Sequence, residues 1–244
     1  MSFLEHLEEL RGRLLHSVIA LVVGFGVCWG FRKQIFIFLT QPLRVTHPET
    51  EFIYTSPAEA LLLYMKMAFF VGIFVAAPYI LYQAWAFIAP GLYPHEKRYA
   101  LPFIFFGTLF FIGGAAFGHF ILFPLTFGFL GDFGGQEMKF LPKVGEYFSF
   151  YSWFLLGIGL VFETPVIIFI LARIGLVTPR FLLRHFKYAV LIAFIVAAVI
   201  TPTPDMVTQS ALALPMLGLY LVGVLTAWLF GRPRTKPSEV SAEE

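Results

Sequence analysis

Six apolar runs follow one another along this sequence, at about residues 14–31, 67–88, 101–123, 148–172, 188–201 and 211–230, each closed by charged residues, prolines or glycines. A helix needs roughly 20 apolar residues to cross the ~30 Å hydrocarbon core of a bilayer. The runs take up about half of the 244 residues, and each stretch between them is too short for a water-soluble domain. Hydrophobic residues are 59% of the chain, charged residues 13%, and the mean hydropathy is +0.81. That balance belongs to an integral membrane protein, because a soluble domain of this size could not cover so much apolar surface. The expected fold class is all-α: six transmembrane helices forming one domain over residues 1–230, followed by a polar, disordered tail at 231–244. The N-terminus is acidic and polar, and no small-x-small cleavage site follows the first run, so that run is expected to be retained.

Before the first run, Leu4, Leu7, Leu10 and Leu14 recur at helical spacing among Glu5, Glu8, Glu9, Arg11 and Arg13. The pattern predicts an amphipathic helix along the membrane surface. Gly26 and Gly30 form a G-x-x-x-G pair able to admit a close neighbour. Residues 32–57, with Pro42, Pro48 and Pro57, predict a packed cap outside the membrane, and residues 131–147, rich in glycine, predict a second. Ser56-Pro57-Ala58-Glu59 fits a capping box opening a long second helix, which Pro78 should kink by leaving the Phe74 carbonyl without its helical donor. Gly114 and Gly118, one turn apart, define a face for close packing.

Residues 88–98, I-A-P-G-L-Y-P-H-E-K-R, break two apolar runs and concentrate charge. Pro94 suits a first helical turn, which places Glu96 where a helix dipole stabilises a carboxylate. Thr178-Pro179 predicts another helix start. The fifth run offers only ~21 Å of helix, and Pro215 interrupts the sixth, so the last two spans are expected to be short and to thin the bilayer locally. Arg11, Arg13, Lys97, Arg98, Arg173, Arg180, Arg184, Lys187, Arg232, Arg234 and Lys236 fall on one side of the membrane. Arg32, Lys33, Arg44, Lys139 and Lys143 fall on the other. The positive-inside rule then puts both termini in the cytoplasm.

Several chemistries are missing from the sequence. No G-x-x-x-x-G-K-S/T encodes a phosphate cradle, His95-Glu96 lacks the second histidine of a zinc protease because Tyr99 stands there, and no G-x-S-x-G elbow occurs. Cys28 has no intrachain partner, and His6, His16, His47, His119 and His185 lack ligand spacing. The chain is expected not to be an enzyme, to need no cofactor or metal and to bind no nucleic acid. What remains is Glu163, ~15 Å along a helix from Arg173 and so near mid-membrane. An acid there is costly unless neutral, paired or wet. Pro165 frees the carbonyl of Val161, so the carboxyl, the Thr164 hydroxyl and that carbonyl can form one polar spot. A buried structural glutamate and a functional acid are both consistent with this pattern.

With H-L-E-E-L-R-G-R-L-L at the start, A-P-Y-I-L-Y-Q-A-W-A-F-I-A-P-G-L-Y-P-H-E-K-R before the third span and F-E-T-P in the fourth, the sequence resembles the TatC family. TatC is the multispanning subunit of the twin-arginine translocase. The resemblance covers nearly the whole chain. It implies a concave six-helix bundle in the cytoplasmic membrane that recognises twin-arginine signal peptides of folded cargo. It also implies an oligomeric complex with single-span TatA- and TatB-like partners, driven by the proton-motive force. Carried over by motif, the signal-peptide site falls on Glu9, Arg11, Phe87 and Glu96, the intramembrane partner site on Glu163, and the exported-side loop residues on Pro42 and Asp205. His119 stands where the resemblance leads one to expect tyrosine. The geometry of guanidinium suits such acids, because its planar donor fork matches a carboxylate and an ammonium does not.

Two rivals remain at the level of sequence. One is a proton-coupled secondary transporter relaying protons through Glu163, which should show internal repeats and paired broken helices; no repeat relates the two halves. The other is a passive scaffold for partner helices, which predicts no peptide selectivity.

Overall fold

The computed structural model describes residues 3–88, 100–132, 140–201 and 205–230. Among these residues the chain is helical, with one isolated bridge between Ile53 and Lys143. The helices are α1 (Phe3–Gly30), α2 (Arg32–Leu39), α3 (Gln41–Thr46), α4 (Glu59–Ile88), α5 (Ala100–Phe117), α6 (Phe123–Asp132), α7 (Val144–Phe162), α8 (Thr164–Ile174), α9 (Pro179–Arg184), α10 (Phe186–Ile200) and α11 (Met206–Phe230). A π-helical turn, Gly118–Leu122, joins α5 to α6 without a break. Among the described residues five helical stretches are long and apolar enough to cross a membrane, and α10 is a shorter sixth.

The acidic preamble is not a separate surface helix. It is the first part of α1, whose 28 residues extend ~42 Å and exceed the hydrocarbon core. Nor do Gly26 and Gly30 make the close contact, since a Cβ on either meets nothing within 4 Å. The crossing of α1 and α4 falls instead on Gly24 and Gly72, where a Cβ on Gly24 would stand 2.8 Å from the Gly72 carbonyl oxygen. Gly114 and Gly118 do pack closely, both against Ile158 on α7.

The spans form a row in which α1 packs on α4, α4 on α5, α5 on α7, α8 on α11, and α11 on α10. Of the two final spans only α10 is short, 15 residues or ~22 Å. Contrary to the sequence expectation, α11 runs through Pro215 for 25 residues, ~38 Å. Proline removes one hydrogen bond and crowds one carbonyl, and in a bilayer neighbouring helices tolerate that cost.

The two predicted caps meet and tie one end of the bundle together, here termed the capped end. The Ile53 amide donates to Pro142 O at 3.3 Å, and the Val144 amide to Ile53 O at 3.0 Å. Glu59 does reach backwards, but to the Thr55 amide (2.8 Å), while its other oxygen accepts from the Gly145 amide (3.2 Å). The carboxylate therefore clamps the start of α4 to the start of α7. Beneath the caps, Phe123, Tyr147, Phe148, Tyr151 and Phe154 are buried together. The Tyr147 hydroxyl donates to Leu39 O at 3.3 Å, satisfying its polar end. At the opposite, terminal end lie the start of α1 and the last turns of α4, α8 and α11.

Candidate functional site

At the terminal end the first turns of α1 lie against the last turns of α4. His6 stacks on Phe87 with ring centroids 4.4 Å apart. Arg13 reaches in both directions: one guanidinium nitrogen donates to Gln83 Oε1 and the other to Glu9 Oε1, each at 3.3 Å. Gln83 is buried on α4 and gives the guanidinium a neutral acceptor inside an otherwise apolar surface. Glu9 Oε2 has no hydrogen-bond partner among the described residues. A carboxylate can accept from several donors, so Glu9 retains capacity for a second cation while Arg13 holds the first oxygen.

The structure thus brings Glu9 and Phe87 to one edge. Arg11, by contrast, is exposed on α1, and Arg13 is the cation that faces α4. Glu96, with His95, Lys97 and Arg98, lies outside the described residues. Arg13 and Gln83 were not singled out from sequence. The spacing of Glu9 and Arg13 at i and i+4, and a glutamine inside an apolar run, are the signals that could have found them.

Glu163 closes α7 and precedes α8, dividing the fourth span into two half-helices. The sequence predicts one continuous helix with a freed Val161 carbonyl, and the structure breaks the helix at that point. Pro165 cannot donate to the Val161 carbonyl, and the Thr164 hydroxyl takes that carbonyl at 2.6 Å. Glu163 is 8% exposed. Its carboxyl lies against α5 at Gly107, where an added Cβ would come 3.4 Å from Oε2 and 3.1 Å from Leu81. Glycine at 107 therefore makes room for the acid. Glu163 Oε1 has no hydrogen-bond partner among the described residues. The 430 Å3 cavity beside Pro165 and Val166 is apolar apart from Thr226, and Glu163 is not part of its wall.

Pro42 is buried near the start of α3, in the cap. Asp205 precedes α11 and accepts from the Thr208 amide at 2.7 Å, a helix N-cap at the capped end. Both residues thus sit at the same end. Among the described residues no cluster of His, Cys, Asp or Glu has the arrangement of a metal site.

A family model for the Sec-independent protein translocase protein TatC matches residues 5–215 of this chain. The chain belongs to the TatC family. It is 40% identical to the Sec-independent protein translocase protein TatC of Koribacter versatilis (strain Ellin345) over 248 residues, covering 100% of this chain and 91% of that protein. Its identity to the TatC protein of Aquifex aeolicus (strain VF5) is 39% over 236 residues, covering 96% and 98%. A crystal structure of the twin arginine translocase receptor TatC superposes with a TM-score of 0.76 at 39% identity, covering 93% of this chain and 100% of that one. A second crystal structure of that receptor, in DDM, gives 0.78. TatC membership accounts for the six helices in their order and makes the chain a multi-pass component of the protein translocation machinery.

Proposed function

We propose that the chain is the receptor subunit of a twin-arginine translocase, reading twin-arginine signal peptides with Glu9, Phe87 and Glu96 at its terminal end. Membership in TatC supports this reading, and so does the convergence of Glu9 and Phe87 on the α1/α4 edge. The observation that carries most weight is Glu9 itself, with one oxygen held by Arg13 and the other without a partner. Such a carboxylate holds one cation and keeps a second, buried oxygen whose missing donor a bound guanidinium would supply. Arg11, exposed on the same helix, and Arg13 keep the patch from being uniformly acidic, so a merely basic peptide meets repulsion as well as attraction.

The remainder of the reading extends the same logic. The terminal end faces the cytoplasm, the capped end with Pro42 and Asp205 faces the exported side, and residues 231–244 form a cytoplasmic tail to a single domain. The protein is not an enzyme; it works in the cytoplasmic membrane, in an oligomeric complex with TatA- and TatB-like single-span partners, drawing on the proton-motive force. Glu163 offers its unpartnered Oε1 to a polar side chain of a partner helix.

The deciding experiment measures affinity of the purified protein for an arginine-pair and a lysine-pair signal peptide, with Glu9→Gln and Glu96→Gln beside the unaltered chain. Each substitution should cost the arginine-pair peptide about 1.5–3 kcal/mol, the worth of a charge-assisted hydrogen bond, and the lysine-pair peptide less. Equal affinity for the two peptides would mean a passive scaffold. Single cysteines at Glu49 and Arg180, both exposed, test the orientation: an impermeant thiol reagent should label the first from outside intact cells and spare the second.

A further inference from the structure

At the capped end a cavity of 560 Å3 opens between α2, α4, the π-helical turn and α7. Its size falls within the roughly 300–1,000 Å3 of small-ligand pockets. Apart from Gln34, His119 and Tyr151, its wall is apolar. Phe38, Ile112 and Phe120 on that wall are half exposed, so the cavity opens sideways, towards the bilayer.

Its depth follows from helix arithmetic. His119 lies ~28 Å along its helix from Ala100, at the far face of a ~30 Å core. Ile112, at the other end of the wall, lies ~10 Å deeper into the hydrocarbon. The cavity is thus a channel running from the interface, where α2 carries Lys33 and Gln34, down into the core.

His119 is 3% exposed and stands in the π-helical turn, a distortion of the helix often found at functional sites. Phe38 stacks on its ring with centroids 4.5 Å apart, and Phe120 meets it edge-on at 4.5 Å. Its Nδ1 lies 2.6 Å from the hydroxyl of Tyr151, which is fully buried. The phenol is the stronger acid of the two, so its O–H donates to Nδ1, and the proton of the neutral ring then sits on Nε2. Nε2 has no hydrogen-bond partner among the described residues. Nε2 is itself buried, so an outside acceptor reaches it once the half-exposed ring of Phe38 or Phe120 turns aside, and without one the N–H is left unsatisfied at a cost. The matching ligand carries an acceptor oxygen at the interface and an apolar body that reaches inwards.

We propose that this channel binds a diacyl glycerophospholipid of the leaflet at the capped end, with one acyl chain along Phe74, Val75 and Ile112 and an ester carbonyl accepting from His119 Nε2. A glycerolipid offers acceptors without donors at this depth, which is what an unpaired N–H requires. A partner helix has its backbone carbonyls already taken by its own amides and would have to supply a polar side chain. An acyl chain gains nothing from leaving other lipid tails, so the hydrogen bond is what separates a retained lipid from a passing one.

The test uses the full chain in detergent, stripped of co-purified lipid. The probes are dipalmitoyl phosphatidylglycerol and its dihexadecyl ether analogue, which has no carbonyls. Native mass spectrometry reads the fraction of protein carrying one lipid. The ester lipid should be retained roughly three- to tenfold better than the ether lipid, the worth of one hydrogen bond. His119→Phe keeps the ring stack, removes the Nε2 proton and should abolish that difference. Ala116→Phe fills the channel from its wall and should lower retention of both lipids. Should His119→Phe fail to accumulate, the ester and ether comparison on the unaltered chain and Ala116→Phe carry the test. Equal retention of the two lipids by the unaltered chain overturns the proposal. Retention untouched by Ala116→Phe also overturns it, leaving surface lipid only. A crosslink from position 116 to a partner's helix that persists whether or not lipid is present would give the channel to that helix instead.

Discussion

The capped and terminal ends of the bundle share α1, α4 and α11 yet are held together by different means. At the capped end, aromatic rings fill the interior: Phe123 and Phe127 stack at 4.4 Å, and Tyr151 meets Phe123 edge-on at 4.8 Å. The backbone of one cap is hydrogen-bonded to the other there. Among the described residues the buried clusters at the terminal end are small, one around Trp85 and Phe103 and one around Ile168 and Ala227. Side-chain hydrogen bonds do much of the joining. Arg13 bridges Glu9 and Gln83, and Arg173 donates to Phe230 O at 2.7 Å, tying the end of α8 to the last carbonyls of α11. Dense packing tolerates little change, whereas polar joints can exchange one partner for another. A face that exchanges partners is better built the second way.

The largest expected effect is at the capped end. Phe123→Ala should lower stability by about 3 kcal/mol, since the lost contacts and the cavity remain even where lipid replaces water. Reduced accumulation and a lower Tm in detergent would show it. Trp85→Ala, in the smaller cluster, should cost less; an equal loss would break the contrast between the ends.

Next comes the α1/α4 crossing, which connects the two. A Cβ at Gly72 would stand 2.9 Å from the Phe25 backbone nitrogen, so Gly72→Ala should cost about 1–3 kcal/mol, as overpacking does. Gly26→Ala, with open space around it, should be neutral in the same thermal melt.

A smaller effect is expected at the polar joint. Arg13→Gln should change stability by no more than about 1 kcal/mol, because the Glu9–Arg13 pair is partly exposed. With the resident cation gone, however, a lysine-pair peptide should bind more tightly than it does to the unaltered chain. Unchanged selectivity would mean that Arg13 only fastens α1 to α4.

The smallest effect on peptide affinity should come from Glu163, which lies within the span and apart from the α1/α4 edge. Glu163→Ala should leave binding near that of the unaltered chain while impairing export, and Glu163→Gln should keep part of the export. Joint loss of accumulation, binding and export would make the acid purely structural. Gly107→Ala, which presses on both the carboxyl and Leu81, should resemble Glu163→Ala if the position of the acid is what matters.

Much of this was legible in the residues themselves. The spans, the caps, the short α10 and the freed Val161 carbonyl follow from where apolar runs end and where proline withholds a donor, and these are local matters. The motifs that carry the TatC resemblance are local too. Other features were decided by which helices become neighbours. Gly24, not Gly26, is the contact glycine because it faces Gly72, a residue far away in the chain. Arg13 turns inwards because Gln83 on α4 offers an acceptor, and Arg11, two residues earlier and about 200° around the helix, has no such neighbour to face. Glu59 clamps a second helix because the caps meet, and α11 continues through Pro215 because packed neighbours in a bilayer make the broken helix costlier than the lost hydrogen bond. Sequence fixes what each segment is able to do alone. Which donor finds which acceptor, and which glycine meets a backbone, depends on helix rotation and register, and only the assembled bundle sets those.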